Sequence, residues 1–228
     1  MAPFSSLLHD DGMTRNDPAM PGLDAPTGPE DRYVTECRAF FAPRAATWDT
    51  KFGDDMPAYA AAVAESRIPA GAAAADIGCG TGRALPALRD AVGPSGTVFG
   101  VDITPQMLDA ARAAGRSRDA ILLLADARRP PFADAALDAV FAAGLITHLP
   151  DPTTGLLELA RITRAHGRLT LFHPSGRRAL ARRHGRTLRP DDPLSESRLA
   201  PLLARTGWCL DAYDDPEHRF LAIATRAA

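Results

Sequence analysis

A glycine-rich loop and two later aspartates are the parts of this sequence whose types and spacing could do chemistry. The loop reads Asp-Ile-Gly-Cys-Gly-Thr-Gly over residues 76–82. Its glycines permit a tight turn and let a ligand approach the backbone without meeting a Cβ, and a helix that starts there favours an anionic group. Asp102 follows Gly82 by 20 residues, where a carboxylate could accept two hydrogen bonds from a ribose diol. Asp126 begins a third loop of the same kind.

A sheet is needed to bring these residues together, and the hydrophobic pattern predicts one. Predicted strands cover 73–77, 97–101, 121–124, 137–141, 168–172, 208–213 and 220–225, and predicted helices cover 83–92, 152–164 and the segments after Thr104 and Ser195. Regular alternation of strands and helices indicates βαβ units, whereas the last two strands are too close for a crossover and should pair antiparallel. The expected fold is α/β, a doubly wound Rossmann-like sheet of seven mostly parallel strands with an antiparallel last strand and helices on both faces. Such sheets bind ligands at the carboxyl ends of their strands.

Three segments follow from this pattern. Residues 1–30 are rich in proline and have no helical or strand period, so we expect a disordered tail. Residues 31–70 contain two predicted helices, 32–41 and 57–67, which we interpret as an N-terminal helical lid. Residues 71–228 form the sheet domain.

Composition excludes several classes of protein. The 228 residues suit one domain, and 46 % hydrophobic residues exclude global disorder. A net charge of -2 argues against a globally basic nucleic-acid binder. The three cysteines form no CxxC pair, so a disulfide framework or a cysteine zinc site is not expected. No apolar run approaches the roughly 18 residues of a membrane helix, and the start lacks signal-peptide features, so we expect a cytoplasmic protein with no membrane or nucleic-acid partner.

The order of the motifs separates two families that share this skeleton. The dinucleotide fingerprint needs glycine at its sixth position, where this chain has Arg83. The sequence instead resembles the class I S-adenosylmethionine-dependent methyltransferases, and the resemblance extends from residue 32 to the C-terminus. It is carried by the glycine loop, by Val-Asp-Ile-Thr-Pro-Gln-Met-Leu over 101–108, by Leu-Ala-Asp-Ala over 124–127, and by Gly-Leu-Ile-Thr-His-Leu-Pro-Asp over 144–151. The last motif is similar to the small-molecule branch that includes quinone-biosynthesis enzymes, with Thr147-His148 where two histidines are usual.

The resemblance implies a cofactor, S-adenosylmethionine, with S-adenosylhomocysteine as product and no metal. It implies roles for the following residues: Asp76, Gly78, Cys79 (through its backbone) and Gly80 along the methionine part, Asp102 on the ribose, Ile103 and Met107 against the adenine, Asp126 and the Ala127 amide on the adenine edge, and the Gly144 carbonyl toward the ammonium. Trp48, which follows the first helix as in such lids, is interpreted as covering the cofactor, with plain core packing as the alternative.

Methyl transfer is a direct displacement, so the protein mainly aligns donor and acceptor, and such positioning supplies about 7–11 kcal/mol. A general base, worth about 10²–10⁴-fold, is needed only when the acceptor must lose a proton. His148 and His173 follow the fourth and fifth strands and are the candidate catalytic residues. Capping of the next helix is the alternative role for His148.

The arginine segment, residues 177–189, has two interpretations, which differ in the kind of acceptor that they imply. One interpretation is a solvated helix face paired with Asp191 and Asp192, and the other is recognition of an anionic small-molecule acceptor. We predict a methyltransferase that acts on an O, N or C atom of a small molecule. The alternatives are an RNA methyltransferase that uses the arginine segment, a nicotinamide oxidoreductase, and a non-catalytic cofactor-binding protein.

Overall fold

The structure is a computed structural model that describes residues 29–51, 53–189 and 191–228. The predicted disordered tail lies outside the described residues, apart from positions 29 and 30, which belong to the first helix. In the part of the chain that is described, no helix is both long enough and apolar enough to cross a membrane.

A seven-stranded sheet forms the centre of the fold, in the order β3-β2-β1-β4-β5-β7-β6. Its strands are β1 (Ala73–Ile77), β2 (Thr97–Asp102), β3 (Ile121–Leu124), β4 (Leu137–Ala143), β5 (Thr163–His173), β6 (Trp208–Asp214) and β7 (Phe220–Arg226). The pairs among β1 to β5 are parallel, and β7 is antiparallel to both β5 and β6. The predicted fold class is therefore confirmed. The order of strands reverses between β1 and β4, and ligands of such sheets bind at that point, outside the carboxyl ends.

Helices cover both faces of the sheet. They are α1 (Pro29–Phe41), α2 (Trp48–Lys51), α3 (Met56–Glu65), α4 (Leu85–Val92), α5 (Pro105–Ala113), α6 (Pro152–Ile162), α7 (Arg177–Arg183) and α8 (Glu196–Arg205). Short 3-10 turns lie at Ala42–Thr47, Arg116–Arg118 and Ile146–His148. The first helix begins three residues before its predicted start, because a proline suits the first helical position. Asp151 caps α6 as expected and accepts the backbone N–H groups of Thr153 and Thr154.

The junction between α6 and β5 is where the expected bounds are wrong. The helix was expected to reach residue 164 and the strand to begin at 168, but the strand begins at Thr163 and pairs there with Leu137. The Thr163 hydroxyl donates to the Leu159 carbonyl at 2.7 Å, and His166 has a φ of +63°. Residues 163–167 show no alternation of polar and apolar side chains, so the sequence does not reveal this irregular start of β5.

The core lies in two layers, one on each face of the sheet. Alternate residues of β5 enter different layers: Leu169 packs on one side and Phe172 on the other. The α3 helix belongs to the second layer, because the Tyr59 ring lies 4.9 Å from that of Phe172. The later half of the predicted lid region therefore packs onto the sheet, and the segment that lies over the strand ends is residues 29–51, called the lid segment below.

Candidate active site

The glycine loop turns sharply at the carboxyl end of β1 and is held against β2. The backbone N–H groups of Gly78 and Cys79 donate to the Val101 carbonyl at 2.8 and 2.9 Å. Gly80 donates its N–H to Asp102 Oδ2 at 2.8 Å, which joins two of the predicted motifs directly. Gly80 has a φ of +54°, and a Cβ there would meet nothing within 4 Å. The loop therefore presents bare backbone to open space.

Asp76 is the most unusual group of the site. It is 2 % exposed, and its Oδ1 atom has no hydrogen-bond partner. Burial and repulsion by Asp102 raise the pKa of the Asp76 carboxyl group to about 8. A buried acceptor without a donor is costly, and a cationic ligand next to it would favour the ionised form. Asp76 is therefore suited to hold a positive charge.

Asp102 lies at the end of β2 and is buried. Its Oδ1 accepts the Thr104 N–H at 2.8 Å, while Oδ2 accepts that of Gly80. Burial raises the pKa of this carboxyl group, and the backbone hydrogen bonds oppose that rise. Each oxygen keeps a second lone pair, as a ribose diol requires. Thr104 stands at the N-cap position of α5 as expected, but its hydroxyl makes no capping bond and is buried without a partner.

The third loop brings Asp126 to the same edge, but Asp126 is already paired. Arg128 donates its backbone N–H to Asp126 Oδ1 at 2.8 Å and its Nη2 to Oδ2 at 2.6 Å. The Arg128 guanidinium also lies 4.2 Å from the centre of the Tyr33 ring on α1. The next residue, Ala127, is buried. Asp126 therefore lies at the predicted edge of the sheet, and its carboxylate is already paired with Arg128.

The lid segment covers these strand ends. Arg38 of α1 donates its Nε to the Ile103 carbonyl at 2.9 Å, and the charges of Asp126 and Asp102 both act on the Cys37 thiol. Beneath this contact, Met107 is buried on α5. Since α1 lies over both loops, the predicted adenine region is enclosed between α1 and α5.

Gly144, which follows β4, lies beside the glycine loop, because a Cβ on Gly78 would meet Leu145 Cδ1 at 3.1 Å. The Gly144 carbonyl, predicted to face an ammonium group, accepts the Thr147 hydroxyl at 3.1 Å. A carbonyl oxygen has two lone pairs, so one remains for a ligand.

The two candidate histidines lie close enough to repel each other's positive charge. Burial, together with His173, lowers the pKa of His148 to about 4. Burial also lowers the pKa of His173, against a hydrogen bond with Ser175 that raises it. Both rings are therefore neutral at pH 7. His173 Nδ1 lies 3.0 Å from the Ser175 N–H and 2.9 Å from its carbonyl, and the tautomer that donates to the carbonyl leaves Nε2 free to accept a proton.

A small cleft with a volume of about 40 Å³ opens beside Gly144 and His173. Its walls are mainly apolar, from Leu171, Phe172, Leu180 and Phe220, and its polar groups besides His173 are Thr147, Ser175 and Arg177. His148 is not part of this lining. Its ring packs instead edge-on against Phe41, 5.2 Å between centres, and Phe41 contacts the Trp48 ring at 5.7 Å.

Three of the six arginines in the arginine segment form ion pairs with acidic side chains among the described residues. Arg177 binds Asp215 at 3.0 Å and Asp192 at 3.3 Å, Arg182 binds Glu217, and Arg189 binds Asp191. Arg183 donates instead to the Ser175 hydroxyl at 3.1 Å, at the edge of the cleft. The interpretation as an ion-paired surface therefore accounts for Arg177, Arg182 and Arg189.

Sequence reasoning missed the side chains that join the lid segment to the glycine loop. Arg83, Arg116 and Asp55 surround Asp49, and Tyr33 and Phe41 provide the aromatic contacts of α1. The arginine at the sixth position of the glycine motif was a usable signal, because a charged residue at a packed helix start needs a partner.

Comparisons with known proteins agree with this geometry. A family model described as a methyltransferase domain matches residues 75–171. The chain is 35 % identical over 109 residues to a demethylmenaquinone methyltransferase of Bacillus licheniformis, covering 47 % of each protein. It is 34 % identical over 102 residues to the aklanonic acid methyltransferase DauC of Streptomyces sp. (strain C5), covering 43 % of this chain and 46 % of that protein.

The chain thus spans about half the length of these two curated relatives. Among solved structures, magnesium protoporphyrin IX methyltransferase from Synechocystis with bound S-adenosylhomocysteine superposes with a TM-score of 0.63 at 16 % identity, over 86 % of this chain and all of that one. At this identity the likeness concerns the fold alone.

Proposed function

We propose that this chain, whose residues 75–171 match a model of a methyltransferase domain, is a class I S-adenosylmethionine-dependent methyltransferase that methylates a small molecule. The reaction is a direct displacement that moves the methyl group to an O, N or C atom of the acceptor and leaves S-adenosylhomocysteine. The two curated relatives named above are methyltransferases, and demethylmenaquinone and aklanonic acid, which appear in their names, are small molecules.

One observation carries the proposal: the buried Asp76 carboxyl group with its unpartnered oxygen, next to the open backbone of Gly80. S-adenosylmethionine supplies an activated methyl group on a sulfonium cation and also carries an ammonium group. Carboxylate and carbonyl oxygens in a dry site are the groups that stabilise such charges. The residues present therefore fit this cofactor.

Each part of the site has a role in this proposal. Gly78, Cys79 and Gly80 hold the methionine part through their backbone, and Asp102 receives the ribose hydroxyls. Ile103, Met107, Asp126 and Ala127 bound the adenine, the Gly144 carbonyl accepts from the ammonium, and Trp48 covers the bound molecule. Because Arg128 already binds Asp126, the adenine amino group must share that carboxylate with the guanidinium or displace it.

The reacting end of the acceptor belongs at the small cleft beside Gly144. Its apolar walls suit a hydrophobic body, and His173 and Thr147 reach the polar end. Alignment of the two reactants is the main contribution of the protein. His173 in its Nδ1–H tautomer accepts a proton at Nε2 from an acidic hydroxyl group. His148, with its pKa near 4, is the weaker base, and we assign it to packing beneath Phe41. An anionic acceptor group is favoured where Arg183 meets the edge of the cleft. A cytoplasmic location suits the three free cysteines.

Calorimetric titration tests the cofactor assignment. We expect S-adenosylhomocysteine to bind wild type and the surface variant Asp109→Asn alike, to bind Asp76→Asn at least tenfold more weakly, and NADH not to bind. Binding of NADH alone would favour an oxidoreductase. A labelled methyl donor with phenolic, carboxylic and quinol acceptors then tests transfer, and bulk tRNA in the same assay tests the RNA alternative. Binding of the product without transfer to any acceptor would favour a non-catalytic protein.

A further inference from the structure

A cluster of charged side chains joins the lid segment to the glycine loop. It consists of Asp49 from α2, Asp55 before α3, Thr81 and Arg83 from the glycine loop, and Arg116 after α5, and it is called the Asp49 cluster below. These residues are separated by up to 67 positions in the chain. The cluster contains two carboxylates and two guanidinium groups, so its charges balance.

Asp49 makes the contacts that cross between the two parts. Its Oδ1 accepts the Thr81 hydroxyl at 2.6 Å and Arg83 Nε at 3.1 Å, and its Oδ2 accepts Arg116 Nη1 at 2.7 Å. The same Arg116 nitrogen donates to the Thr81 carbonyl at 2.6 Å. Burial alone would raise the pKa of Asp49, but the hydrogen bonds from Thr81 and Arg116 outweigh it and lower the pKa. The carboxylate is ionised, and it is attached to the residue that directly follows Gly80.

Arg83 anchors the glycine-loop side of the contact with Asp49. Its side chain is 6 % exposed and forms an ion pair with Asp55, whose side chain is 13 % exposed, whereas that of Asp49 is 36 % exposed. If the lid segment moves away, Arg83 keeps the Asp55 carboxylate, whereas Arg116, whose side chain is 12 % exposed, keeps the Thr81 carbonyl but loses its ion pair. Asp49 is the more exposed partner and can leave, and the loss of the Arg116 ion pair favours the closed lid segment.

Movement of Asp49 would also move the aromatic residues of the lid segment. Trp48 precedes it, and the backbone carbonyls of Trp48 and Asp49 accept from Arg83 Nη2 at 3.4 and 3.0 Å. Trp48 in turn contacts Phe41, and Phe41 contacts His148 on the acceptor side. One carboxylate thus positions a surface that reaches from the glycine loop to the loop after β4.

We propose that Asp49 is a positioning residue that couples occupation of the methyl-donor site to closure of the lid segment. This rests on the proposed function, since the donor site is the one described above. A ligand seated on the glycine loop fixes the backbone of Thr81, and Thr81 fixed in place binds Asp49 more tightly. By linkage, the contact that closes the lid segment must strengthen ligand binding by the same factor.

The chain offers a specific probe, because Lys51 is its only lysine. Endoproteinase Lys-C therefore has a single cleavage site, at the end of α2 and two residues from Asp49. Because Lys51 is the last residue of α2, the cleavage rate reports local opening of this end of the lid segment. We would compare wild type, Asp49→Asn, Thr81→Val and the surface control Asp109→Asn, each with and without S-adenosylhomocysteine. Trp48 emission, with Trp48→Phe as the blank, is the second signal.

We expect the product to slow cleavage of wild type and Asp109→Asn about tenfold. Asp49→Asn should be cut several-fold faster without ligand, lose most of the protection, and bind the product about five- to tenfold more weakly. Thr81→Val should show smaller changes in the same direction, because it removes one of the contacts that Asp49 makes, and the double variant should be no worse than Asp49→Asn alone.

Cleavage rates and affinities of Asp49→Asn and Thr81→Val equal to those of wild type would overturn the proposal. If the product does not bind wild type, the proposed function fails, but the comparison of unliganded cleavage rates still decides whether Asp49 holds the lid segment closed. Should Asp49→Asn not fold, as judged by circular dichroism, the Thr81→Val arm decides alone.

Discussion

Replacement of Asp76 by asparagine should make the unliganded protein less sensitive to alkaline pH. An unfolded aspartate releases its proton near pH 3.8, whereas Asp76 in the folded protein keeps its proton up to about pH 8. Between these values the folded state holds a proton that the unfolded state has lost. Stability from this group is therefore complete below about pH 4 and is lost as the pH rises to 8.

The size of the effect follows from the difference in pKa. Each unit is worth about 1.36 kcal/mol, so wild type should lose about 4 kcal/mol between pH 5 and pH 9 through this one group. That is a large part of the roughly 5–15 kcal/mol that stabilise a typical domain. Asp76→Asn lacks the titrating group, so its stability relative to wild type should rise by that amount over the same range.

Urea unfolding followed by circular dichroism at pH 5, 6, 7, 8 and 9 measures the difference. Any constant cost of the amide at this position cancels, because only the change with pH is interpreted. Asp109→Asn, which alters an exposed carboxylate, should follow wild type at every pH. If Asp76→Asn and wild type lose stability in parallel across this range, the carboxyl group is not held neutral, and the argument for a cation site at Asp76 fails.

Three further predictions follow from single groups. Gly80→Ala should lower the free energy of unfolding by about 1 kcal/mol, because φ is positive at this position although no atom lies within 4 Å of the added Cβ. Calorimetry should show that the variant binds S-adenosylhomocysteine more than tenfold more weakly, and unchanged affinity would mean that the ligand lies elsewhere. Arg177→Ala should lower the urea-unfolding free energy by about 3 kcal/mol, because Asp192 and Asp215 lose a largely buried partner; a loss below 1 kcal/mol would show that water replaces the guanidinium. His148→Gln should be less sensitive to acid than wild type, because folded His148 stays neutral to about pH 4 while the unfolded ring takes up a proton below pH 6.5. The difference in unfolding free energy between wild type and His148→Gln should change by about 3 kcal/mol from pH 7 to pH 4, against wild type, and parallel curves would contradict the lowered pKa.

The strands and the glycine loop could be predicted from the sequence because their signals are local. Apolar runs between glycine and proline residues identify β1 and β4, and the motif order identifies Asp76 and Asp102 as neighbours. The start of β5 could not be predicted, because Thr163 pairs with Leu137 through a register irregularity that no periodicity reveals.

The contacts of the site were harder to predict than its members. Asp126 reaches the expected loop, but its pairing with Arg128 and the Arg128 contact with Tyr33 depend on side-chain geometry. The Asp49 contacts join residues 32 to 67 positions apart. Charge pairing at that separation is set by the tertiary fold, so Arg83 in the sequence indicates that a partner is needed but does not identify Asp49 or Asp55 as that partner.

The position of β7 has a consequence for how the chain folds. In the sheet described here, β6 is bonded to the rest only through β7, although β6 comes earlier in the chain. Residues 208–214 therefore have no partner strand in this sheet until 220–226 are in place, and unpaired strand edges favour aggregation. Loss of the last ten residues would detach two strands at once, so this half of the sheet should be the part most dependent on chaperones.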